Sequence, residues 1–250
     1  MKSVFVCVMV GMYVFAAPAL GCDLEEKLDD GSLLGAGVMM IESPYKGVDD
    51  DVYPVPVLIF ESQRFFVDKT VAGYYFNDKS HALRWAVIGS VRLQGYEADD
   101  SSDLNGMQDR DGALDGGLRM IWKNRIVEMI LEGVTDVSGA HQGQELRLSV
   151  CKELFEGFLT PKASIKWQSD DLADYYYGVR PNEARAGRVE YSADADFEYT
   201  AGITVGLPLG KKWALFGDIE CAFLGDEAED SPVVGQDTRM RYVMGVVYRF

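Results

Sequence analysis

Beyond residue 22 the sequence lacks any long uncharged apolar run. No window approaches the roughly 18 residues that a membrane-spanning helix requires, so a bundle of transmembrane helices is excluded. Basic residues are also scarce, with 24 Lys and Arg against 40 Asp and Glu and a formal charge of −16. Because phosphate binding needs clustered Lys and Arg, no nucleic acid partner is expected.

Periodic and low-complexity tracts are absent as well, which excludes collagen-like, coiled-coil and disordered chains. What is present is 48% hydrophobic residues with 13 Tyr, 12 Phe and 26 Gly in 250 residues. A chain of this length and composition folds, and a large all-β barrel uses about 200 to 250 residues as one domain.

The first residues have the order of a secretory signal. Lys2 precedes an uncharged apolar run over residues 3–15, and small residues follow at 16–21. We therefore expect residues 1–21 to be a cleaved signal peptide and residues 22–250 to be the folded domain. Two alternatives are an uncleaved anchor helix and a lipoprotein signal with lipidation at Cys22.

Strict alternation of apolar and polar residues recurs along the rest of the chain. From Leu83 to Leu93 the odd positions are mostly apolar, whereas the even positions include Arg84 and Arg92, a period of two that indicates a β-strand. The same split recurs in later segments. Eleven strands are predicted, over residues 32–41, 52–61, 64–76, 82–95, 113–122, 125–137, 143–155, 159–168, 194–209, 213–224 and 239–250.

Segment 64–76 is ambiguous, because it reads either as one bulged strand or as two short strands around Lys69. Bacterial single-chain membrane barrels have even strand numbers. We therefore predict an all-β fold, an antiparallel transmembrane β-barrel of about twelve strands, within a range of ten to fourteen.

Strand length favours a membrane barrel in the cell outer membrane over a soluble β-sandwich or a lipocalin-like barrel, which explain the alternation equally well. The segments run to about ten residues, whereas strands of soluble proteins cluster near five or six. Aromatic residues near segment ends suit interfacial girdles; they are Trp85, Trp122, Trp167, Trp213, Tyr248 and Phe250.

The polar faces of the predicted strands carry both signs of charge. We interpret these side chains primarily as a charge-paired lumen and secondarily as a selectivity lining. The predicted lumen-facing residues are Arg84, Arg92, Glu128, Glu132, Lys162, Lys166, Asp218, Glu220, Arg241 and Arg249.

Long connections at residues 97–111, 169–188 and 225–238 are expected to face outside, and two of them are very acidic. A solvated loop is the favoured interpretation, while Ca²⁺ or Mg²⁺ bridging to lipopolysaccharide is an alternative, since hard cations take clustered carboxylates. The spacing does not match an EF-hand.

Catalysis has little support in the sequence. His81 and His141 are the only histidines, each beside a predicted turn, and a hydrolase would need them to converge with Ser80, Ser138 or paired acids in space. We therefore expect that the protein is not an enzyme and that it binds neither a cofactor nor a metal ion.

Two cysteines of the predicted domain lie on opposite strand faces. Cys151 falls on a polar face and Cys221 on an apolar one. Because a disulfide needs close, converging Cβ atoms, we predict no bond between these two residues.

Several motifs resemble the MipA/OmpV family, in the family order: Tyr53-Pro54-Val55-Pro56, Gly95-Tyr96-Glu97-Ala98-Asp99-Asp100-Ser101, Asp136-Val137-Ser138-Gly139, Asp174-Tyr-Tyr-Tyr-Gly178 and Asp230-Ser231-Pro232-Val233-Val234. The ending Gly245-x-x-Tyr248-x-Phe250 resembles the insertion signal of outer-membrane barrels. The resemblance implies contact with outer-membrane lipid and lipopolysaccharide, and it supplies no catalytic residues.

The same resemblance implies a scaffold that joins a lytic transglycosylase to a penicillin-binding murein synthase. A small porin for solute uptake is the alternative, and an outer-membrane hydrolase is a remote one. A scaffold should conduct no ions, whereas a porin should conduct them in a planar bilayer.

Overall fold

The computed structural model describes residues 31–78 and 80–250, and it confirms the predicted barrel of about twelve strands. Twelve antiparallel strands follow one another around a closed barrel in chain order, and β1 (Gly31–Ile41) pairs with β12 (Thr238–Arg249) to complete it. The predicted signal peptide lies outside the described residues. The described part contains no helix long and apolar enough to span a membrane.

The other elements run in sequence between these two strands. They are β2 (Asp51–Glu61), β3 (Phe65–Asp68), β4 (Val71–Tyr75), β5 (Leu83–Arg92), β6 (Ala113–Lys123), β7 (Glu128–Asp136), β8 (Gln144–Cys151), β9 (Leu159–Gln168), α1 (Asp170–Tyr177), β10 (Asp196–Leu209), β11 (Trp213–Phe223) and α2 (Asp226–Glu229).

The ambiguous segment 64–76 is two short strands. β3 and β4 form a hairpin whose turn is Lys69-Thr70, and Lys69 adopts a positive φ of 55° there. The eleven predicted strands become twelve because this segment divides.

One predicted strand is too long. The segment 143–155 was expected to be extended throughout, but β8 ends at Cys151. Phe155 and Glu156 have positive φ values of 53° and 58°, which is incompatible with an extended strand, and they form the turn to β9 instead.

Alternation along the strands separates two surfaces. Outward positions carry exposed apolar side chains, such as Trp85, Val87, Leu118 and Ile203, whereas inward positions are buried. A hydrocarbon environment favours this arrangement, since apolar groups face lipid and polar groups are sequestered inside.

One end of the barrel, here called the short-turn end, has only short connections and contains residues 31 and 250. Two clusters of buried apolar side chains lie inside the barrel and are together called the plug. The first contains Phe66, Val71, Tyr75, Ala86, Ile88, Ile121 and Ile130, and the second Leu33, Val57, Ile59, Phe216 and Val247.

Candidate functional site

The opposite end of the barrel is covered by its long connections, here called the cap: residues 42–50, 93–112, 169–195 and 224–237. The cap has a hydrophobic core of its own. Helix α1 buries Leu172, Tyr176 and Tyr177 in that core, against Tyr45 and Tyr96 from other loops. The long connections are therefore a folded lid over the barrel, because their apolar side chains bury one another.

A buried ion pair joins two segments of the cap. Arg110 donates to both carboxylate oxygens of Glu183, with Nη2–Oε2 at 2.9 Å, and both side chains are almost fully buried. The backbone N–H groups of Gln108 and Arg180 donate to the same carboxylate at 2.9 Å. Burial raises the pKa of Glu183, but the hydrogen bonds from Arg110 and the two N–H groups outweigh it and lower the pKa overall.

We expect Glu183→Gln to loosen the cap. The neutral amide cannot form the bidentate pair, and breaking a buried pair costs on the order of 3 kcal/mol. Hydrogen exchange should therefore accelerate in residues 93–112 and 169–195, while Glu190→Gln, an exposed change in the same loop, should leave it unchanged. Equal exchange in the two variants would show that the pair does not hold the cap.

The lowered pKa of Glu183 predicts that the cap loosens in acid. Because the folded pKa of Glu183 is below the ordinary value of 4.5, its stabilisation is present above that value and is lost as pH falls through the lowered pKa. Below pH 4.5, hydrogen exchange in the cap should accelerate more in the wild-type protein than in the Glu183→Gln variant.

Below the cap, ion pairs cross the lumen in what is here called the charged layer. On one wall, Asp218 accepts from Lys162 at 2.5 Å and from Arg241 at 3.1 Å. Glu220 contacts the same two cations at 2.7 and 2.6 Å, so the four groups form a closed square of alternating charge. All four side chains are at most 12% exposed.

The other wall repeats this arrangement with different partners. Arg92 bridges Asp115 and Glu145 at 2.7 and 2.9 Å, and Arg147 reaches Glu145 at 2.7 Å. Further pairs are Arg119–Glu132 at 2.7 Å, Lys166–Glu198 at 2.9 Å and Arg84–Glu61 at 3.2 Å.

Eight of the ten predicted lumen residues lie in this layer. Glu128 lies lower, near the β6–β7 turn, where Lys123 is 3.7 Å away, and Arg249 is exposed at the short-turn end. Several members were not singled out from the sequence, although they occupy the same inward positions of their strands. They are Glu61, Asp115, Arg119, Glu145, Arg147, Glu198 and Arg239.

Between the cap and the charged layer lies a cavity of about 680 Å³, here called the chamber. Tyr45 and Tyr96 of the cap line it above, and Glu132, Lys166 and Arg241 line it below. Burial raises the pKa of Tyr96 to about 12, so its hydroxyl stays protonated at neutral pH. The chamber is therefore a polar cavity that the folded cap covers.

Buried His141 was predicted only as a turn histidine. Its Nε2 lies 3.1 Å from Asp115 Oδ1, and its Nδ1 accepts the N–H of Gly143 at 3.0 Å, which assigns the proton to Nε2. Asp136 lies nearby, but its oxygens accept N–H groups of the 138–142 turn. By distance alone, these three side chains could hold a metal ion. Their hydrogen bonds instead hold the 138–142 turn in place.

The other histidine lies at the surface. His81 Nδ1 is 3.0 Å from Asp78 Oδ1, the oxygen that also accepts from Ser80. Histidine and serine therefore compete for one carboxylate oxygen in an exposed turn. A base that activates a serine needs its other ring nitrogen on the hydroxyl, so this arrangement does not form a triad.

The acidic loop positions Glu97, Asp99 and Asp100 lie close together and exposed. Asp100 already accepts the N–H of Glu97 at 2.8 Å. Cation bridging to lipopolysaccharide there stays a prediction.

The cysteine prediction is confirmed. Cys221 has a free thiol, whereas Cys151 is disulfide-bonded. The two are therefore not joined to each other.

The terminal motif lies at the seam between β12 and β1. Tyr248 packs edge-on against Trp213 at 4.9 Å and Phe250 at 5.1 Å, in an exposed aromatic group. Gly245 pairs with Gly37 across the seam. Recognition of this motif during insertion stays a prediction.

Comparison with known proteins agrees with this architecture. The family model described as "MltA-interacting protein MipA" matches residues 34–250. The chain is 29% identical to the MltA-interacting protein of Escherichia coli K12 over 223 residues, which covers 87% of this chain and 89% of the relative. It is 25% identical to the putative outer membrane protein YiaT of the same organism over 242 residues, covering 95% and 96%.

A third relative is the outer membrane protein OmpV of Vibrio cholerae, at 28% identity over 161 residues, or 62% of this chain and 61% of the relative. None of these names describes an enzyme. Together with the closed twelve-stranded barrel, the matches confirm the resemblance found in the sequence. The chain belongs to the MltA-interacting protein MipA family and is an outer-membrane β-barrel.

Proposed function

We propose that this protein is a non-catalytic scaffold whose short-turn end binds a lytic transglycosylase together with a penicillin-binding murein synthase. The observation that carries the proposal is the plug. Apolar side chains of the plug lie inside the barrel, and two ion-paired arginines of the charged layer pack on them, Arg84 over the ring of Tyr75 and Arg119 over the ring of Phe66. A solute would have to cross both, so a binding role is better supported than transport.

The relative named MltA-interacting protein supports the same role, because its name states an interaction with MltA. The binding surface would be the turn between β8 and β9. Phe155 is 75% exposed there and Phe158 is 45% exposed. Exposed aromatic residues of this kind anchor protein interfaces.

We expect Phe155→Asp to lower capture of a purified MltA-type lytic transglycosylase by about tenfold, the effect of losing one aromatic anchor. Val189→Asp is the matched control, since Val189 is 69% exposed but lies in the cap. Capture should be measured with the detergent-solubilised barrel immobilised. Equal capture by both variants would contradict a docking site at this turn.

The porin alternative draws support from the chamber, whose lining carries more carboxylates than basic groups. It predicts cation-selective conductance steps in a planar bilayer. Our proposal predicts none. The remote hydrolase alternative predicts activity on lipid A or peptide substrates that is lost in His81→Ala or His141→Ala.

A further inference from the structure

The two ends of the barrel expose side chains of opposite charge. The cap exposes mostly carboxylates, including Asp99, Asp109 and Glu229, whereas the short-turn end exposes mostly cations. Among the described residues of that end, Glu156 is the one exposed acid. The exposed basic residues there are Arg64, Arg125, Lys152, Lys211, Lys212 and Arg249. A chain with a formal charge of −16 therefore has a basic rim at one end.

The β10–β11 turn carries two neighbouring cations of this rim. Gly210 has a positive φ of 85°, which lets the chain reverse tightly. Lys211 and Lys212 follow it, and both are exposed. Neither lysine has an ion pair with any of the described residues. Two adjacent ammonium groups therefore lie in one turn without a carboxylate partner from the described chain.

A contact with a tyrosine holds one of these lysines at the outer surface of the barrel. Lys212 Nζ donates to Tyr248 Oη at 3.0 Å and lies 5.2 Å from the centre of the tyrosine ring. Tyr248 faces outward, because its neighbour Val247 is buried in the plug and side chains alternate along a strand. The ammonium group of Lys212 therefore lies on the lipid side of the wall.

Two further aromatic rings lie beside Tyr248. Trp213 is 49% exposed and Phe250 is 70% exposed, and both rings pack edge-on against Tyr248. Aromatic side chains near the strand ends of membrane barrels lie at the level of the lipid head groups. Because Lys212 directly precedes Trp213, the two lysines lie at the depth of the lipid phosphates. These five residues, 211–213, 248 and 250, are here called the lysine–aromatic patch.

Other basic turns at this end lack the same combination. Arg64 Nη1 donates to the carbonyl oxygens of Tyr75 and Phe76 at 3.3 and 2.6 Å, so its guanidinium group is already engaged. Arg125 and Lys152 are each the one exposed cation of their turn. Among the described turns of this end, two exposed ammonium groups are adjacent only in the lysine–aromatic patch.

Phosphate oxygens suit the donors of the patch. A lysine ammonium group has three N–H donors, and Lys212 uses one of them on Tyr248. A zwitterionic lipid such as phosphatidylcholine neutralises its own phosphate, whereas phosphatidylglycerol keeps a negative charge. Basic side chains near the membrane surface attract lipids of the second kind. The patch should therefore distinguish between these two classes of lipid.

We propose that the lysine–aromatic patch is a binding site for an anionic phospholipid such as phosphatidylglycerol. The phosphodiester accepts hydrogen bonds from Lys211 and Lys212, while the acyl chains lie against the rings of Trp213 and Phe250. The site is independent of the proposed scaffold function, because the patch faces the membrane.

Fluorescence of Trp213 reports which lipid lies at the patch. The substitutions Trp85→Phe, Trp122→Phe and Trp167→Phe leave it as the only tryptophan of the chain. The protein is reconstituted into mixtures of phosphatidylcholine and phosphatidylglycerol, with bromine on the acyl chains of one lipid at a time, since bromine quenches a nearby indole. The binding constant should be about fivefold higher for phosphatidylglycerol, the effect of one lysine near the surface. Quenching that follows the bulk lipid ratio would overturn the proposal.

Lysine variants identify the groups responsible for the preference. Lys211→Gln with Lys212→Gln should reduce the ratio of binding constants to about one, whereas Lys211→Arg with Lys212→Arg keeps both charges and should retain it. Lys152→Gln, at an exposed lysine of another turn, is the matched control and should leave the ratio unchanged. Heat-modifiable mobility confirms that each variant has folded. A preference that survives the double Gln change, or that Lys152→Gln lowers equally, would contradict this site.

Inorganic phosphate, added at constant ionic strength, distinguishes a lipid site from a site for the free ion. It has the same kind of oxygen atoms but no acyl chains to contact the aromatic rings. The preference for phosphatidylglycerol should therefore persist. Displacement of the brominated lipid by inorganic phosphate would show that the lysines bind a free anion, and the lipid assignment would then be wrong.

Discussion

Gly245→Val is expected to prevent the barrel from closing. A Cβ at this position would lie 2.6 Å from Ala36 O and 2.8 Å from Gly37 Cα on β1. It would also lie 2.8 Å from the ring of Phe216 inside the lumen. The first two neighbours are backbone atoms of the seam, which cannot withdraw without lengthening the β1–β12 hydrogen bonds.

Gly89→Val is the matched control, because a Cβ there meets only Asp115 O at 3.9 Å and the side chain would face lipid. The folded fraction is measured after refolding into detergent, as the band that changes mobility on heating in gel electrophoresis. We expect no heat-modifiable band for Gly245→Val and a wild-type band for Gly89→Val. Comparable folding of both variants would show that the seam tolerates a side chain.

The strand faces could be predicted from the sequence because lipid imposes a period of two on every strand. Trp85 and Arg84 are neighbours in sequence, yet one faces lipid and the other pairs with Glu61 inside. Local alternation carries this information without knowledge of the topology. The ion-pair partner of each charged residue could not be predicted from this alternation, because Arg92 contacts Glu145 only when the barrel closes.

The β3–β4 hairpin was ambiguous for a local reason. Its turn, Lys69-Thr70, contains none of the Gly, Asn or Asp residues that mark a two-residue hairpin turn, although Lys69 adopts the positive φ such a turn requires.

The cap could not be predicted because its contacts join distant loops. Arg110 and Glu183 are 73 residues apart, and neither belongs to a periodic segment. Acidic composition favoured the interpretation of solvated loops, yet the same connections contribute Leu104, Tyr177 and Val233 to a buried core. The average polarity of a loop does not reveal its few apolar residues, and these residues come together only in the folded structure.

The charged layer takes the place that a hydrophobic core has in a soluble protein. Its charges are stable inside the barrel only as long as each has an opposite partner, since desolvating an unpaired ion costs several kcal/mol. Asp218 carries the most partners: besides Lys162 and Arg241, it accepts from Thr204 Oγ1 at 2.5 Å. Removing Asp218 should therefore show how strongly the stability of the barrel depends on the paired charges of this layer.

Asp218→Ala is expected to lower the free energy of unfolding by about 3 to 5 kcal/mol, because Lys162 and Arg241 would then share one carboxylate, Glu220. Thr204→Val, which removes a single hydrogen bond at the same place, should cost only about 1 kcal/mol. Unfolding is followed in urea from lipid vesicles. The double variant Asp218→Ala with Lys162→Met should recover part of the loss, since it removes one unpaired cation. If the two changes simply added, the stabilisation would lie in packing, and the ion pairs would not hold the lumen together.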